Sequence, residues 1–218
     1  RVIEEAAQEE QTQEKGVHSW FAYEDRGLAP KDLHFDRIGS YFLITGPPQS
    51  GKTTALASIL LALGARYDPE HVHFALVTPK RGEHTGIAEI CEMPHCLGHA
   101  KNEKSLDELL AGLELRAEER LAVETEHPDR PGRMVLVIDD YHLLSGRIGA
   151  DALSRLEALA KRSGDIGLTM MITAPSTVLS NLSDSIIRGA RSWRNGIWLK
   201  STDSLESNVV GVRMPLDR

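Results

Sequence analysis

Residues 41–56, YFLITGPPQSGKTTAL, restrict the possible folds more than any other stretch of the chain. An apolar run ends at Gly46, and Gly46-Pro47-Pro48-Gln49-Ser50-Gly51-Lys52-Thr53 satisfies GxxxxGK[ST] in full, with Thr54 opening a helix-compatible segment. Each part of that order has a physical reason. Glycines at both ends of the loop admit backbone geometry and close approach that a side chain would block. Successive backbone N–H groups, backed by a helix N-terminus, then form an anion cradle. Gly46 to Thr54 are therefore the candidate nucleotide-binding residues. Lys52 supplies a point charge to the β- and γ-phosphates, and the Thr53 hydroxyl is a candidate Mg²⁺ ligand. The implied cofactors are ATP and Mg²⁺.

A phosphate loop of this kind needs an acidic partner at the end of a later apolar strand, and MVLVIDD supplies one. Asp139 is the candidate second ligand for Mg²⁺. Asp140 stands where a water-orienting base would act. It is equally open to a bland reading, as a solvated strand end or a cap for YHLLSG. An aspartate is one methylene shorter than glutamate, so its carboxylate falls about an ångström short, an error that can cost ~10²-fold in rate.

The strand-like runs YFLITG, HFALVT, MVLVID, LTMMIT and GIWLK are continuously apolar, as strands covered on both faces are. Helical segments lie between them. SLDELLAGLELRAEERLAVE shows a Ser105-x-x-Glu108 capping box and apolar residues at helical spacing. ADALSRLEALAKRSG carries Leu153, Leu156, Leu159 and Ala160 on one face and stops at Gly164. The alternation predicts an α/β, RecA-like P-loop fold of the additional-strand type, with a mainly parallel sheet flanked by helices on both faces. One strand is expected between the phosphate loop and Asp139. Residues 17–36 read as a strand or two of lead-in. The Glu- and Gln-rich residues 1–16 read as a polar arm, leaving 17–218 as one domain.

The chain has 218 residues and a net charge of −7, from 32 Asp and Glu against 25 Lys and Arg, which gives no general attraction for nucleic acid. No run approaches the ~18 apolar residues of a membrane span, so membrane contact is expected only through a parent chain. Residue 1 is Arg, which reads as a piece of a longer polypeptide. Two cysteines make no disulfide framework, and a reducing cytoplasm is the expected setting.

Beyond the loop, WFAYEDRGLAPKDLHFD, EMPHCLGHAKN, VIDDYHLL and TDSLESNVVGVRMP together resemble FtsK/SpoIIIE-type ATPase domains, and more closely the tandem ATPase domains of the EccC/EssC type VII (ESX) secretion motors. The combination of Asp-Asp-Tyr with PHxxGHA is more specific than the phosphate loop alone. The chain departs from the DNA-pumping members at Asp140, where they carry Glu, and at Pro175, where they carry a sensor Gln. The resemblance therefore implies a second or third domain of such a motor, an ATPase with weakened catalytic residues. Its implied partners are neighbouring ATPase domains of the same polypeptide or ring, and a small helical-hairpin (WXG-type) substrate recognised through its C-terminal signal. The implied location is the cytoplasmic side of a membrane-anchored bacterial protein. A nucleotide-stabilised recognition module and a DNA translocase are the alternatives.

Several other residues carry two readings. Cys91, His95, Cys96 and His99 are all able to bind metal, but their spacing is not a zinc knuckle. Arg188, Arg191 and Arg194 are candidates for completing a neighbour's site, or a solvated helix face. Thr173 could sense a γ-phosphate or bond locally. Trp193 and Trp198 read first as packing anchors, and Lys80-Arg81 as residues beside the sheet's ligand-binding edge.

Overall fold

The computed structural model describes residues 16–23, 30–35, 37–79, 84–123, 132–181 and 183–200. Residues 1–15, Lys80, Arg81 and the 202–215 stretch lie outside them. The lead-in is a hairpin of β1 (His18–Tyr23) and β2 (Pro30–His34), antiparallel and separate from the main sheet. His18 stands opposite His34, and Trp20 opposite Asp32.

The main sheet contains β3 (Tyr41–Thr45), β4 (Val72–Val77), β5 (Cys96–Ala100), β6 (Arg133–Ile138), β7 (Leu168–Ala174) and β8 (Gly196–Trp198). Their spatial order is β5-β4-β6-β7-β3-β8, and every registered pair is parallel. β7 lies between β3, which leads into the phosphate loop, and β6, which ends at Asp139. That inserted strand is the additional-strand arrangement expected from the sequence.

The helices are α1 (Lys52–Arg66), α2 (Thr85–Glu92), α3 (Glu103–Val123), α4 (Tyr141–Ser145), α5 (Ala150–Lys161), α6 (Ser163–Ile166) and α7 (Ser185–Trp193), with a 3₁₀ turn at Ser176–Ser180. Two hydrophobic clusters make the core. Leu56, Leu60 and Leu63 of α1 and Ile90 of α2 pack on one face of the sheet, with Phe35 beside them. Leu106, Leu110 and Leu113 of α3, Leu156 of α5 and Ile186 of α7 pack on the other. Because β3, β6 and β7 are covered on both faces, almost every side chain in them is buried, which explains runs with no polar alternation. Each Leu or Ile so buried contributes roughly 1.5–3 kcal/mol relative to exposure.

The structure differs from the sequence reading at three points. Two strands, not one, separate the phosphate-loop helix from β6. The extra one is β5, an edge strand of mostly half-buried residues whose Gly98 and His99 conceal the apolar signal. The capping box lies three residues earlier: Asn102 Oδ1 accepts from Ser105 N and Ser105 Oγ accepts from Asn102 N. An asparagine side chain serves the N-cap as well as serine does, so the helix starts at the first available cap. The α5 helix ends at Lys161, and the chain runs through α6 to Gly167, which takes the left-handed conformation (φ 62°) expected of Gly164.

Candidate functional site

The carboxyl ends of β3, β6 and β7 converge on one edge of the sheet, where ligands gather in open parallel folds. After β3 the chain turns through the loop and enters α1 directly at Lys52. Gly51 precedes the helix at φ 92°, a conformation costly for any side chain. At Gly46 the constraint is close approach: a β-carbon would lie 2.3 Å from the Leu199 carbonyl oxygen and 2.7 Å from Ser50 Oγ. Pro48, Gln49 and Gly51 are exposed, Pro47 is partly so, and Ser50 and Lys52 are buried. Gln49 also has a positive φ of 61°. Lys52 Nζ donates to the carbonyls of Gly46 (3.2 Å) and Pro47 (2.9 Å), so its ammonium lies over the loop.

The metal-binding pair predicted from sequence is brought together across 86 residues. Thr53 Oγ1 donates to both carboxylate oxygens of Asp139, at 2.9 and 3.2 Å. Asp139 is only 4% exposed, so its charge needs donors. A second donor is Thr173 at the end of β7: its fully buried hydroxyl donates to Asp139 Oδ1 at 2.7 Å. The same Thr173 oxygen accepts from the backbone N–H of Asp140, also at 2.7 Å. Thr173 thus joins the two aspartates. Sequence reasoning offered it as a phosphate sensor or a local partner and missed this bridging position. The signal was a hydroxyl at the end of the strand that neighbours both.

Asp140 occupies the left-handed region, φ 52° and ψ 51°, at the start of α4, where its side chain makes no capping bond. The helix-cap reading of Asp140 is therefore not what the structure has. Aspartate tolerates this conformation far better than most residues. Its neighbour Tyr141 is fully buried and donates to both oxygens of Asp184, at 2.9 and 3.0 Å. Asp184 in turn caps α7 by accepting from Ile186 N and Ile187 N. Burial, with the nearby Asp184 charge, pushes the Tyr141 hydroxyl far above its ordinary value, so it stays a donor. Tyr41, pushed up to about 12 by burial and then by Glu157 and Asp184, belongs to the same cluster.

The remaining candidates separate. Thr54 Oγ1 lies 3.3 Å from His84 Nε2, on the exposed side of α1. Arg191 donates to the Leu179 carbonyl at 2.8 Å, which ties it inside the chain, whereas Arg188 and Arg194 are exposed. Trp193 is 46% exposed and rests against Gly39, and Trp198 packs on the core. The four metal-capable residues on α2, on β5 and in the turn between them make local bonds. Cys91 Sγ contacts His99 Nδ1 at 3.2 Å, His99 Nε2 reaches Thr78 Oγ1, and His95 Nε2 bonds the Tyr67 carbonyl at 2.7 Å. Burial pushes the Cys96 thiol up, against the thiolate that zinc requires.

Known proteins resemble this chain both in sequence and in fold. The sequence pattern of the FtsK/SpoIIIE family matches residues 6–134. The chain is 29% identical over 158 residues to the ESX-1 secretion system protein EccCb1 of Mycobacterium tuberculosis, covering 67% of this chain and 26% of that protein. It is 23% identical over 175 residues to the ESX secretion system protein EccC of Thermomonospora curvata, covering 77% of this chain and 13% of the relative. The chain thus spans about a quarter or less of the curated relatives it matches. In fold it is similar to ATPases 2 and 3 of Thermomonospora curvata EccC, solved with a signal sequence peptide: TM-score 0.72, 21% identity, 92% of this chain and 37% of that one. ATPases 2 and 3 of EssC from Geobacillus thermodenitrificans superpose with TM-score 0.69 at 16% identity, over 93% of this chain and 40% of theirs.

Proposed function

The chain belongs to the FtsK/SpoIIIE family, and from that premise we propose that it is a Mg-ATP-binding ATPase domain of a type VII secretion motor. The observation that carries this reading is the contact between Thr53 and Asp139, 2.9 Å apart although 86 residues separate them. A chance glycine-rich turn has no reason to meet a buried carboxylate in this way. The residues present also fit the cofactor. Ser50 Oγ is buried in the loop without a hydrogen-bond partner among the described residues, and the Gly46 backbone has no room for a side chain.

In this mechanism Lys52, now on the Gly46 and Pro47 carbonyls, would turn to the β- and γ-phosphate oxygens, and the loop N–H groups would bind the same anion. Thr53 and Asp139 would hold Mg²⁺, which would supply positive charge to neutralise the phosphates. Thr173 positions Asp139. The Asp140 carboxylate orients a water and takes its proton where hydrolysis occurs. We read residues 17–218 as one domain and 1–16 as an arm. Its partners are adjoining ATPase domains and a secreted protein's signal sequence, by analogy with the peptide complex of the Thermomonospora curvata protein. Its place is on the cytoplasmic side of a membrane-anchored parent. Among the described residues no helix is long and apolar enough to cross a membrane.

A second reading, a nucleotide-stabilised recognition module, is favoured by the short Asp140 side chain and by Pro175 in the sensor position. Binding of fluorescent ATP, with and without Mg²⁺, tests the first claim: the intact chain binds, and Lys52→Ala loses at least tenfold in affinity. No binding by the intact chain would sink both readings. Single-turnover hydrolysis by the intact chain, Asp140→Glu and Lys52→Ala then separates them. Binding with no turnover in any of them, assembled rings included, leaves the recognition module alone.

A further inference from the structure

The β1–β2 hairpin places two imidazoles and a carboxylate on one of its faces, remote from the phosphate loop. His18 and His34 stand directly opposite each other across the antiparallel pair, and Asp32 is two residues from His34, on the same face by the period of the strand. The two rings are stacked, 5.3 Å apart and 7° from parallel. One nitrogen from each ring and an Asp32 oxygen all lie within 4.8 Å of one another. His18 Nδ1 hydrogen-bonds Asp32 Oδ2, and His34 Nε2 is 3.8 Å from the same oxygen. Two ligand atoms about 2.1 Å from a tetrahedral metal lie roughly 3.4 Å apart, within the reach of small side-chain rotations here.

A second observation points to a cation. Asp32 Oδ1 is buried with no hydrogen-bond partner among the described residues, an unpaired acceptor on a charged group. Such an atom is costly unless a positive charge or a donor meets it. The three side chains are only 12–23% exposed, so bulk water offers limited relief. The site also adjoins the C-terminal end of α1, where Tyr67 hydroxyl accepts from His18 N at 3.1 Å, and helix C-termini favour positive charge.

We propose that His18, Asp32 and His34 bind a divalent transition-metal ion of the zinc class, which clips the two hairpin strands together where they rest on the end of the phosphate-loop helix. Neutral imidazole and carboxylate ligands suit such an ion, and three protein ligands leave one position for water. Arg66 is the competitor. Its guanidinium donates to His18 Nε2 at 2.7 Å, which keeps the imidazole proton on Nδ1, facing Asp32. Metal binding at Nδ1 moves that proton to Nε2, where it faces another donor, so Arg66 must swing into solvent. Removing Arg66 therefore tightens binding, an outcome that a merely structural His–Asp pair does not predict.

The test is zinc titration of the full chain by calorimetry, with cobalt(II) as a spectroscopic probe. The expected result is one ion per chain. Binding weakens roughly 10–100-fold in Asp32→Asn and His34→Gln, the range seen when metal-site partners are lost. It strengthens at least threefold in Arg66→Gln. Retained nucleotide binding checks that each variant is folded. If the variants do not fold, X-ray absorption on the zinc-loaded intact chain decides, with two imidazoles and only nitrogen and oxygen ligands expected. Absence of a 1:1 site, unchanged affinity in Asp32→Asn and His34→Gln, or a sulfur ligand from Cys91 or Cys96 would overturn the proposal.

Discussion

Thr173→Val isolates the hydroxyl that joins the two aspartates. Valine has nearly the same shape, so no cavity forms and the change is almost purely polar. Two bonds disappear, both 2.7 Å and both at a residue with no solvent exposure. The Asp140 N–H is left as a buried unpaired donor, at about 1–3 kcal/mol, and Asp139 loses one donor to a buried carboxylate, at about 1.5–3 kcal/mol. Allowing for partial relaxation, the net loss is about 2–5 kcal/mol. With a denaturant slope near 2–3 kcal/mol/M in urea, the unfolding midpoint falls by roughly 1–2 M. Thr173→Ser keeps both bonds and loses one methyl, about 1 kcal/mol. Urea unfolding followed by circular dichroism measures stability, and fluorescent-ATP binding against Mg²⁺ concentration measures the site. The valine variant should need more Mg²⁺ than the serine variant, because Asp139 is less firmly aimed. A valine variant within about 0.5 kcal/mol of the parent, with the same Mg²⁺ dependence, would show that Thr173 does not position the aspartates.

Three further outcomes follow from the geometry. Gly46→Ala drives a methyl into the Leu199 carbonyl, so it costs about 1–3 kcal/mol in urea unfolding and weakens nucleotide binding. Tyr141→Phe leaves Asp184 without its phenolic donor; thermal unfolding should show a loss of about 1–2 kcal/mol, with α7 exchanging its amide protons faster. Burial, and then Arg116, Arg120 and His95, hold His73 below the ordinary histidine value. The unfolded chain therefore takes up that proton at higher pH than the folded chain does. Stability is full above about pH 6.5 and falls as the pH drops below it, and His73→Gln should flatten that slope in urea titrations at pH 7.5 and 5.5.

Much of the fold and half of the site could be read from local chemistry. The phosphate loop declares itself because each function, close approach, anion cradle and point charge, demands a residue type at a set offset. The buried strands declare themselves because a sheet covered on both faces leaves no position for alternation. Asp139 could be singled out because an acidic partner for the loop is expected at the end of an apolar strand, and the structure sets it against Thr53. β5 was hidden because an edge strand needs little apolar surface, so its Gly98 and His99 read as loop. The cap at Asn102 was missed because Asn102 and Ser105, three residues apart, offer equivalent chemistry, and the helix begins at the first of them.

By itself the sequence determined the fold class and the phosphate-loop motif, and it named Thr53 and Asp139 as candidate partners, since each of these follows from a pattern within one segment. The tertiary structure alone decided how far apart in the chain the cooperating groups could be. Thr173 bridges two aspartates more than 30 residues earlier, Tyr141 reaches Asp184 on another helix, and His18 and His34 face each other across a hairpin. No periodicity encodes such pairs. Strand order and register bring them together, and those are set by the total burial of the sheet rather than by any one stretch of residues.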